Sequence, residues 1–225
     1  MSDVEITIVD DKEEAARLVA ERLAGQARSG GSIVLTGGAT PRRAYELAAG
    51  LEPDWSSVEL WWGDERCVPP GDERSNFGMA KKVLLDRLDA APATVHRMRG
   101  ELGRDAGADE YAEELAGAGT FDVVLLGLGP DGHIASLFPG FPTLDIADRD
   151  VVGTEAGHEP FVDRITLTLP RLAETRELLF LVTGEDKADA VARSFSGEPS
   201  HDTPGSLARG ARTRAVLDRA AAAKL

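Results

Sequence analysis

The chain has 225 residues, 42% hydrophobic and 28% charged, which suits a single globular domain over 1–225 with a core large enough to stand without disulfides or metals. Its formal net charge of −14 argues against nucleic acid or an anionic membrane as partners, so any anionic ligand must be met by a local gathering of cations and backbone N–H groups. The single cysteine, Cys67, excludes an intrachain disulfide, residues 1–5 lack the basic and apolar start of a secretion signal, and no run approaches the roughly 20 apolar residues of a membrane span; the expected location is the cytoplasm.

Short apolar runs alternate with amphipathic stretches. Residues 5–9 read as a strand, and residues 12–28 as a helix with Ala16, Leu18, Val19, Leu23 and Ala27 near helical spacing. A strand at 32–36 leads to a helix whose start is signalled by Thr40 as N-cap and Pro41 at the first helical position. Residues 58–62 form the third predicted strand. Ser75 is placed to cap a helix running on through 84–88, followed by a short strand near 95–98 and a helix around 108–116. Residues 121–126 are nearly all apolar after Asp122, the mark of a strand buried on both faces. The Gly-, Pro- and Asp-rich stretch 139–160 reads as a long surface loop. Strands are expected at 165–169 and 177–183, a helix at 186–195, and a short strand at 214–217 before a terminal Ala-rich helix. This alternation predicts an α/β fold, a three-layer α/β/α sandwich around a mostly parallel, Rossmann-like sheet. In such sheets ligands bind outside the carboxyl ends of the strands, so the segments following strands are where chemistry is sought.

Four such segments stand out. In Thr36-Gly37-Gly38-Ala39-Thr40-Pro41-Arg42, two glycines precede a helix start, which suits either a tight turn or an anion site built from unpaired N–H groups. No Gly-Lys-Ser/Thr follows, so it is not a Walker loop. In Gly63-Asp64-Glu65-Arg66, Arg66 can grip a phosphate or carboxylate, and Asp64 and Glu65 can hold sugar hydroxyls or orient Arg66. Ser75 and Asn76 beyond it add polar contacts or simply cap the helix. The bland reading of this triplet is a solvated loop with a local ion pair.

Gly127-Leu128-Gly129-Pro130-Asp131-Gly132-His133 contains a formal G-x-G-x-x-G. A dinucleotide reading fails because Asp131 would meet the pyrophosphate and because Pro139 limits any following helix to about two turns. The loop instead presents His133, the residue type whose ordinary pKa suits proton transfer near neutrality. Asp131 can fix its orientation and tautomer, or merely cap the turn. The fourth segment pairs Arg164, at the start of a strand, with Lys187, in the first turn of a predicted helix where a cation opposes the dipole. Each is open to an anion-binding or a purely structural reading.

Other routes are weaker. His96, His133, His158 and His201 show no metal-ligand spacing. Ser136 follows His133 by three residues, but there is no G-x-S-x-G elbow, and Cys67 has no supporting motif. Trp61 and Trp62 read as core.

Taken together these segments resemble the 6-phosphogluconolactonase family, over about residues 6–217. The resemblance is carried above all by residues 127–139, with Asp-Gly-His followed by Ala-Ser-Leu-Phe-Pro, and by the Thr-Gly-Gly-Ala-Thr-Pro loop, the Asp-Glu-Arg triplet with Ser75-Asn76, Thr-Gly-x-x-Lys-Ala at 183–188 and Pro204-Gly205-Ser206, in that family's order. The sister glucosamine-6-phosphate deaminases carry Phe-Asn-Glu-Pro after the shared histidine motif; Ser136-Leu137-Phe138-Pro139 lacks that glutamate. The resemblance implies hydrolysis of 6-phospho-D-glucono-1,5-lactone, with His133 as catalytic base and Arg66 and Lys187 near the phosphate. Asp131 is expected to support His133, and Gly37, Gly38, Thr40, Asp64, Ser75, Asn76, Gly129 and Arg164 to complete the substrate site. Water as nucleophile requires no metal and no organic cofactor. The expected partner is the small phosphorylated sugar lactone, bound by a monomer. The rivals are a deaminase-type enzyme and a sugar-phosphate sensor. A sensor would normally carry a DNA-binding segment, for which the residues before Glu5 leave no room.

Overall fold

The computed structural model describes residues 4–225; the leader reading falls partly on residues 1–3, which lie outside the described residues. Strand β1 (Val4–Val9) leads to helix α1 (Lys12–Ser29), which begins where the Asp11 carboxylate accepts from the N–H groups of Glu13 and Glu14, both at 2.9 Å. Its buried stripe of Ala15, Ala16, Val19, Ala20, Leu23, Ala24 and Ala27 is rich in alanine, which lets helix and sheet approach closely. There follow β2 (Gly31–Leu35), α2 (Ala39–Leu51), β3 (Val58–Trp62), β4 (Asp64–Arg66), α3 (Asn76–Val83), β5 (Thr94–Val95) and α4 (Arg104–Leu115). The second half contains β6 (Phe121–Leu126), β7 (Val151–Thr154), β8 (Arg164–Leu167), α5 (Leu169–Ala173), β9 (Thr175–Val182), α6 (Ala188–Phe195) and β10 (Arg212–Asp218).

Seven strands form one sheet in the order β1-β10-β9-β6-β2-β3-β5, and every neighbouring pair is parallel. From β2 the chain winds outward to β3 and β5. With β6 it returns to the other side of β2 and winds on through β9 and β10. The reversal lies between β2 and β6, so the connections leaving these two strands diverge and open a crevice. Central strand β6 is buried on both faces, as its apolar run predicts. Trp55, Trp61 and Trp62 are fully buried in the core.

The strand β3 leaves the large sheet at Gly63, whose N–H still bonds Leu35 O at 2.9 Å, and residues 64–66 turn into a second, antiparallel sheet of order β4-β8-β7. The charged triplet is therefore a short strand and not a solvated loop. The stretch 139–160, expected to be an irregular loop, contains a 3₁₀ turn at Pro142–Asp145 and the strand β7. Val151 and Val152 are buried against the rest of the fold, burial that their Gly- and Asp-rich surroundings mask in the sequence. The terminal Ala-rich segment forms turns in place of the expected helix. One α-turn bond, Ala222 N to Asp218 O at 3.0 Å, is followed by Ala223 N to Ala220 O and Leu225 N to Ala222 O, so the costly first helical turn is not propagated.

Two tyrosines complete the backbone hydrogen bonding at strand ends. Val58 O and Leu60 O accept from Ala93 N and His96 N, but Trp62 faces past the end of β5. Tyr111 on α4 takes the missing place, its hydroxyl accepting from Trp62 N at 3.0 Å and donating to Trp62 O at 3.1 Å. Tyr45 on α2 does the same for Thr36 just after β2, at 2.9 and 2.8 Å. Both phenols are fully buried and their pKa values are pushed up by burial. Tyr111→Phe leaves a buried N–H and C=O without these partners and is expected to cost about 1–3 kcal/mol, read as a lower urea midpoint at an unchanged slope.

Candidate active site

A cavity of about 400 Å³ opens at the carboxyl ends of β2, β3, β6 and β9, across the point where the winding reverses, within the size range of small-molecule sites. Gly37, Gly38, Thr40, Asp64, Arg66, Asn76, Gly129, His133, Arg164 and Lys187 all line it. Of the residues singled out in the sequence, Asp131 and Ser75 stand behind the lining, hydrogen-bonded to His133 and Glu65 respectively. Thr183, Phe138, His158 and Glu159 also line the cavity; the first two belong to the motifs at 183–188 and 136–139 without being named as site residues, and the last two are no part of the site expected from the sequence. The last two lie on the stretch taken for a plain surface loop, where no strand end marks them.

The wall after β2 begins with Gly37, where a Cβ would stand 2.0 Å from Asn76 Oδ1; only glycine allows this approach. Gly38 has φ 114° and is itself the N-cap of α2, so the helix starts before Thr40 and the capping assignment moves. Freed from capping, the Thr40 hydroxyl lies 2.9 Å from that of Thr183 at the end of β9. Pro41 falls in the first turn, where its missing N–H breaks no helical bond. Gly38, Ala39, Thr40 and Pro41 at this helix start line the cavity, and the first turn carries no acidic side chain to oppose an anion there.

The wall after β3 rests on Glu65, 2% exposed. Its carboxylate accepts from Arg66 N and Asn76 N at 2.7 Å, Phe77 N at 2.8 Å and Ser75 Oγ at 2.9 Å. Burial pushes its pKa up against these four donors. Ser75 also accepts from Gly78 N at 3.0 Å, so it does cap α3 as expected. Asn76 Nδ2 donates to Asp64 O at 2.9 Å and Asp64 Oδ1 at 3.1 Å, while Ser136 Oγ donates to Asp64 Oδ2 at 2.7 Å. The Arg66 fork is anchored by Nη1 on Arg74 O, and its Nε is buried with no hydrogen-bond partner.

The wall after β6 carries the imidazole. His133 Nδ1 lies 2.6 Å from Asp131 Oδ1, and the same oxygen accepts from His133 N at 3.1 Å. Burial opposes ionisation of Asp131, but the hydrogen bond and charge of His133 outweigh it and bring the pKa down to about 2. An ionised carboxylate only accepts, so Nδ1 is the donor and the neutral imidazole has its lone pair on Nε2. Gly129 makes the pair possible: a Cβ there would meet His133 Nδ1 at 2.1 Å and Asp131 Oδ1 at 2.5 Å. No helix follows the loop. Residues 134–137 form a tight turn with Ala135 at φ 47°, and Ser136 is buried toward Asp64 instead of standing a helical turn from His133.

Of the two cations of the fourth segment, Arg164 opens β8 as expected and Lys187 is displaced. Lys187 closes a 3₁₀ turn, Glu185–Lys187, ahead of α6 rather than lying in its first turn, and pairs with Asp186 Oδ2 at 3.3 Å. Arg164 is 3% exposed and directs Nε to Val162 O and Nη2 to His158 O and Pro160 O. Cys67 is half-buried with its thiol pushed up to about 11 by burial, and has no place in the cavity. Among the described residues no three His, Cys, Asp or Glu side chains gather as a metal would need, and no helix is long and apolar enough to cross a membrane.

An open parallel sheet with an imidazole–carboxylate pair and three cations around a small-molecule cavity defines an α/β enzyme. Residues 10–217 match the family described as glucosamine-6-phosphate isomerases/6-phosphogluconolactonase. A 6-phosphogluconolactonase of Streptomyces coelicolor is 42% identical over 251 aligned residues, covering 100% of this chain and 96% of that protein. One from Mycobacterium tuberculosis is 40% identical, covering 98% of each. A 6-phosphogluconolactonase structure from Thermotoga maritima superposes with a TM-score of 0.85 at 27% identity, over 96% of this chain and 99% of that one. A monomeric glucosamine-6-phosphate deaminase shares the fold at a TM-score of 0.88 and 19% identity, over 99% and 100%. The chain belongs to the glucosamine-6-phosphate isomerase/6-phosphogluconolactonase family.

Asp131 has its pKa lowered from 3.8 in the ordinary carboxyl to about 2 in the fold. Its ionised form therefore stabilises the protein fully above the ordinary value, and the contribution fades as pH falls through about 2. Asp131→Asn is expected to be less stable than the parent at pH 6 and to converge with it near pH 2, in urea titrations across that range.

Proposed function

We propose that the chain hydrolyses 6-phospho-D-glucono-1,5-lactone to 6-phospho-D-gluconate, the lactonase step of the oxidative pentose phosphate pathway. The observation that carries this reading is His133, paired with Asp131 behind it, in one cavity with Arg66 and Lys187. The full-length relatives named 6-phosphogluconolactonase support it, and so does Ser136-Leu137-Phe138-Pro139, which has no glutamate where the sister deaminases carry one.

In this mechanism Arg66, Lys187 and the N–H groups at the start of α2 hold the phosphate. They position the carbonyl end remotely, so that binding of a group that does not react brings water and C1 together. His133 Nε2 takes a proton from water as its oxygen bonds to C1. The C1=O pair moves onto oxygen, where N–H groups of the cavity wall stabilise the charge. The C1–O5 bond then breaks, and Nε2–H of the imidazolium gives its proton to O5, which becomes the C5 hydroxyl. The carboxylic acid formed at C1 ionises and releases a proton to solvent. Asp131 stays ionised throughout and holds the ring, and Asp64 is placed to hold sugar hydroxyls. Water is the only co-reactant.

The deciding measurement is proton release from freshly made phosphogluconolactone, corrected for spontaneous opening. His133→Ala is expected to lower turnover by about 10²- to 10⁴-fold. Parent-level turnover in that variant removes His133 from the mechanism. Arg66→Ala and Lys187→Ala are expected chiefly to raise KM, and unchanged affinity for 6-phosphogluconate in both displaces the phosphate site. Ammonia release from glucosamine 6-phosphate would instead establish the deaminase reading.

A further inference from the structure

The segment between β7 and β8 forms a fixed rim of the cavity. Gly157 seats it on Phe138, where an added Cβ would meet Phe138 Cγ at 2.7 Å. The next residue, His158, places its ring 5.6 Å from that of His133, whose ring is in turn 5.1 Å from Phe138. From the protein interior, buried Arg164 binds the carbonyls of alternate residues: Val162 at 3.0 Å through Nε, and Pro160 at 2.9 Å and His158 at 3.2 Å through Nη2. A planar guanidinium fork can serve three carbonyls of one segment at once, and an ammonium on a flexible stem cannot fix them in the same way.

His158 Nδ1 lies 3.0 Å from Glu159 O. A carbonyl oxygen only accepts, so Nδ1 carries the hydrogen and the neutral ring keeps an acceptor at Nε2. Such a ring offers no hydrogen to a phosphate from Nε2, and Glu159, which lines the same wall, repels an anion. What an imidazole acceptor beside a carboxylate does suit is a hydroxyl donor. His158 neighbours the imidazole assigned above to the carbonyl end of the sugar, so the nearest such donor is the hydroxyl on the carbon next to that carbonyl.

We propose that His158 is a specificity residue that accepts a hydrogen bond from the C2 hydroxyl of the substrate, and that Arg164 is a positioning residue that holds the rim carrying it. The assignment of C2 rests on the lactonase reading, which sets the orientation of the sugar. Arg164 then serves the cavity through the carbonyls it binds, in place of the direct phosphate contact that its sequence position suggests.

The test compares 6-phosphogluconolactone with its 2-deoxy counterpart in kcat/KM, and the two stable product acids in calorimetric affinity. The parent protein is expected to favour the C2-hydroxylated member of each pair by about tenfold, the size of one hydrogen bond in a partly open site. His158→Ala is expected to erase that preference, bringing kcat/KM for the hydroxylated lactone down to that for the 2-deoxy lactone. Arg164→Lys, which keeps the charge and loses the fork, is expected to erase the preference as well. A parent with no preference, or a His158→Ala variant that retains it, overturns the proposal. If Arg164→Lys weakens both acids equally and keeps the preference, Arg164 is a phosphate ligand and the positioning role fails. Should the protein hydrolyse neither lactone, the lactonase reading fails, while the affinities of the acids still decide whether His158 reads the hydroxyl.

Discussion

One buried carboxylate holds the polar half of the site together. Glu65 could not remain charged where it is without donors, and it has four: three backbone N–H groups and the Ser75 hydroxyl. Two of these N–H groups belong to the first residues of α3, which have no partner within their own helix. A single side chain thus stabilises a helix start and fixes the end of β4 relative to it. With that fixed, Asn76 reaches Asp64, Asp64 accepts from Ser136 beyond β6, and Arg66 is held beside them. The removal of one partner would leave the others buried and unpaired, so this network is costly to perturb and keeps two walls of the cavity in register.

An acidic chain that is to bind an anion, as proposed, faces an electrostatic problem to which the geometry of the cavity offers an answer. Most arginines are paired at the surface, as in Arg43 with Glu13 and Glu46, Arg97 with Glu101 and Arg212 with Glu5. The cations of the cavity are less neutralised. Arg66 is anchored on a carbonyl, Arg164 on three carbonyls, and Lys187 has only a looser pair with exposed Asp186. Carbonyl oxygens orient a guanidinium without cancelling its charge. Uncancelled positive charge is therefore kept at this cavity, where low-dielectric walls strengthen it.

The regular part of the fold was readable because burial on a parallel sheet imposes a plain signal: strands near 5–9, 32–36, 58–62, 121–126 and 177–183 all fall within two residues of their observed ends. The candidate site was readable to the extent that it follows strand ends, which is why Gly37, Arg66, His133 and Lys187 meet in one cavity. What escaped depends on contacts distant in sequence. Nothing local tells that Thr40 faces Thr183 and leaves capping to Gly38, or that Asp64–Arg66 finds an antiparallel partner about a hundred residues on. His158 and Glu159 were missed because their place is set by Arg164 and Phe138, with only glycine, proline and charge around them in the chain.

The G-x-G-x-x-G spacing after β6 illustrates how a pattern can be shared while its physics differs. In a dinucleotide fold these glycines admit a pyrophosphate and start a helix. Here Gly129 yields its space to the His133–Asp131 pair, and Gly132, at φ 98°, packs on Thr203. The carbonyl of Gly132 accepts from Gly205 N at 2.9 Å, and Arg193 on α6 binds both Asp131 O and Thr203 Oγ1. The segment at Pro204-Gly205-Ser206 does not line the cavity, yet it braces the loop from behind. Ser206 in turn ties that segment to Ser200 and Thr203. A loop without helix behind it would otherwise be free to move, and under the proposed mechanism an imidazole that meets a water and a carbonyl within a few tenths of an ångström needs such a brace as much as it needs its carboxylate.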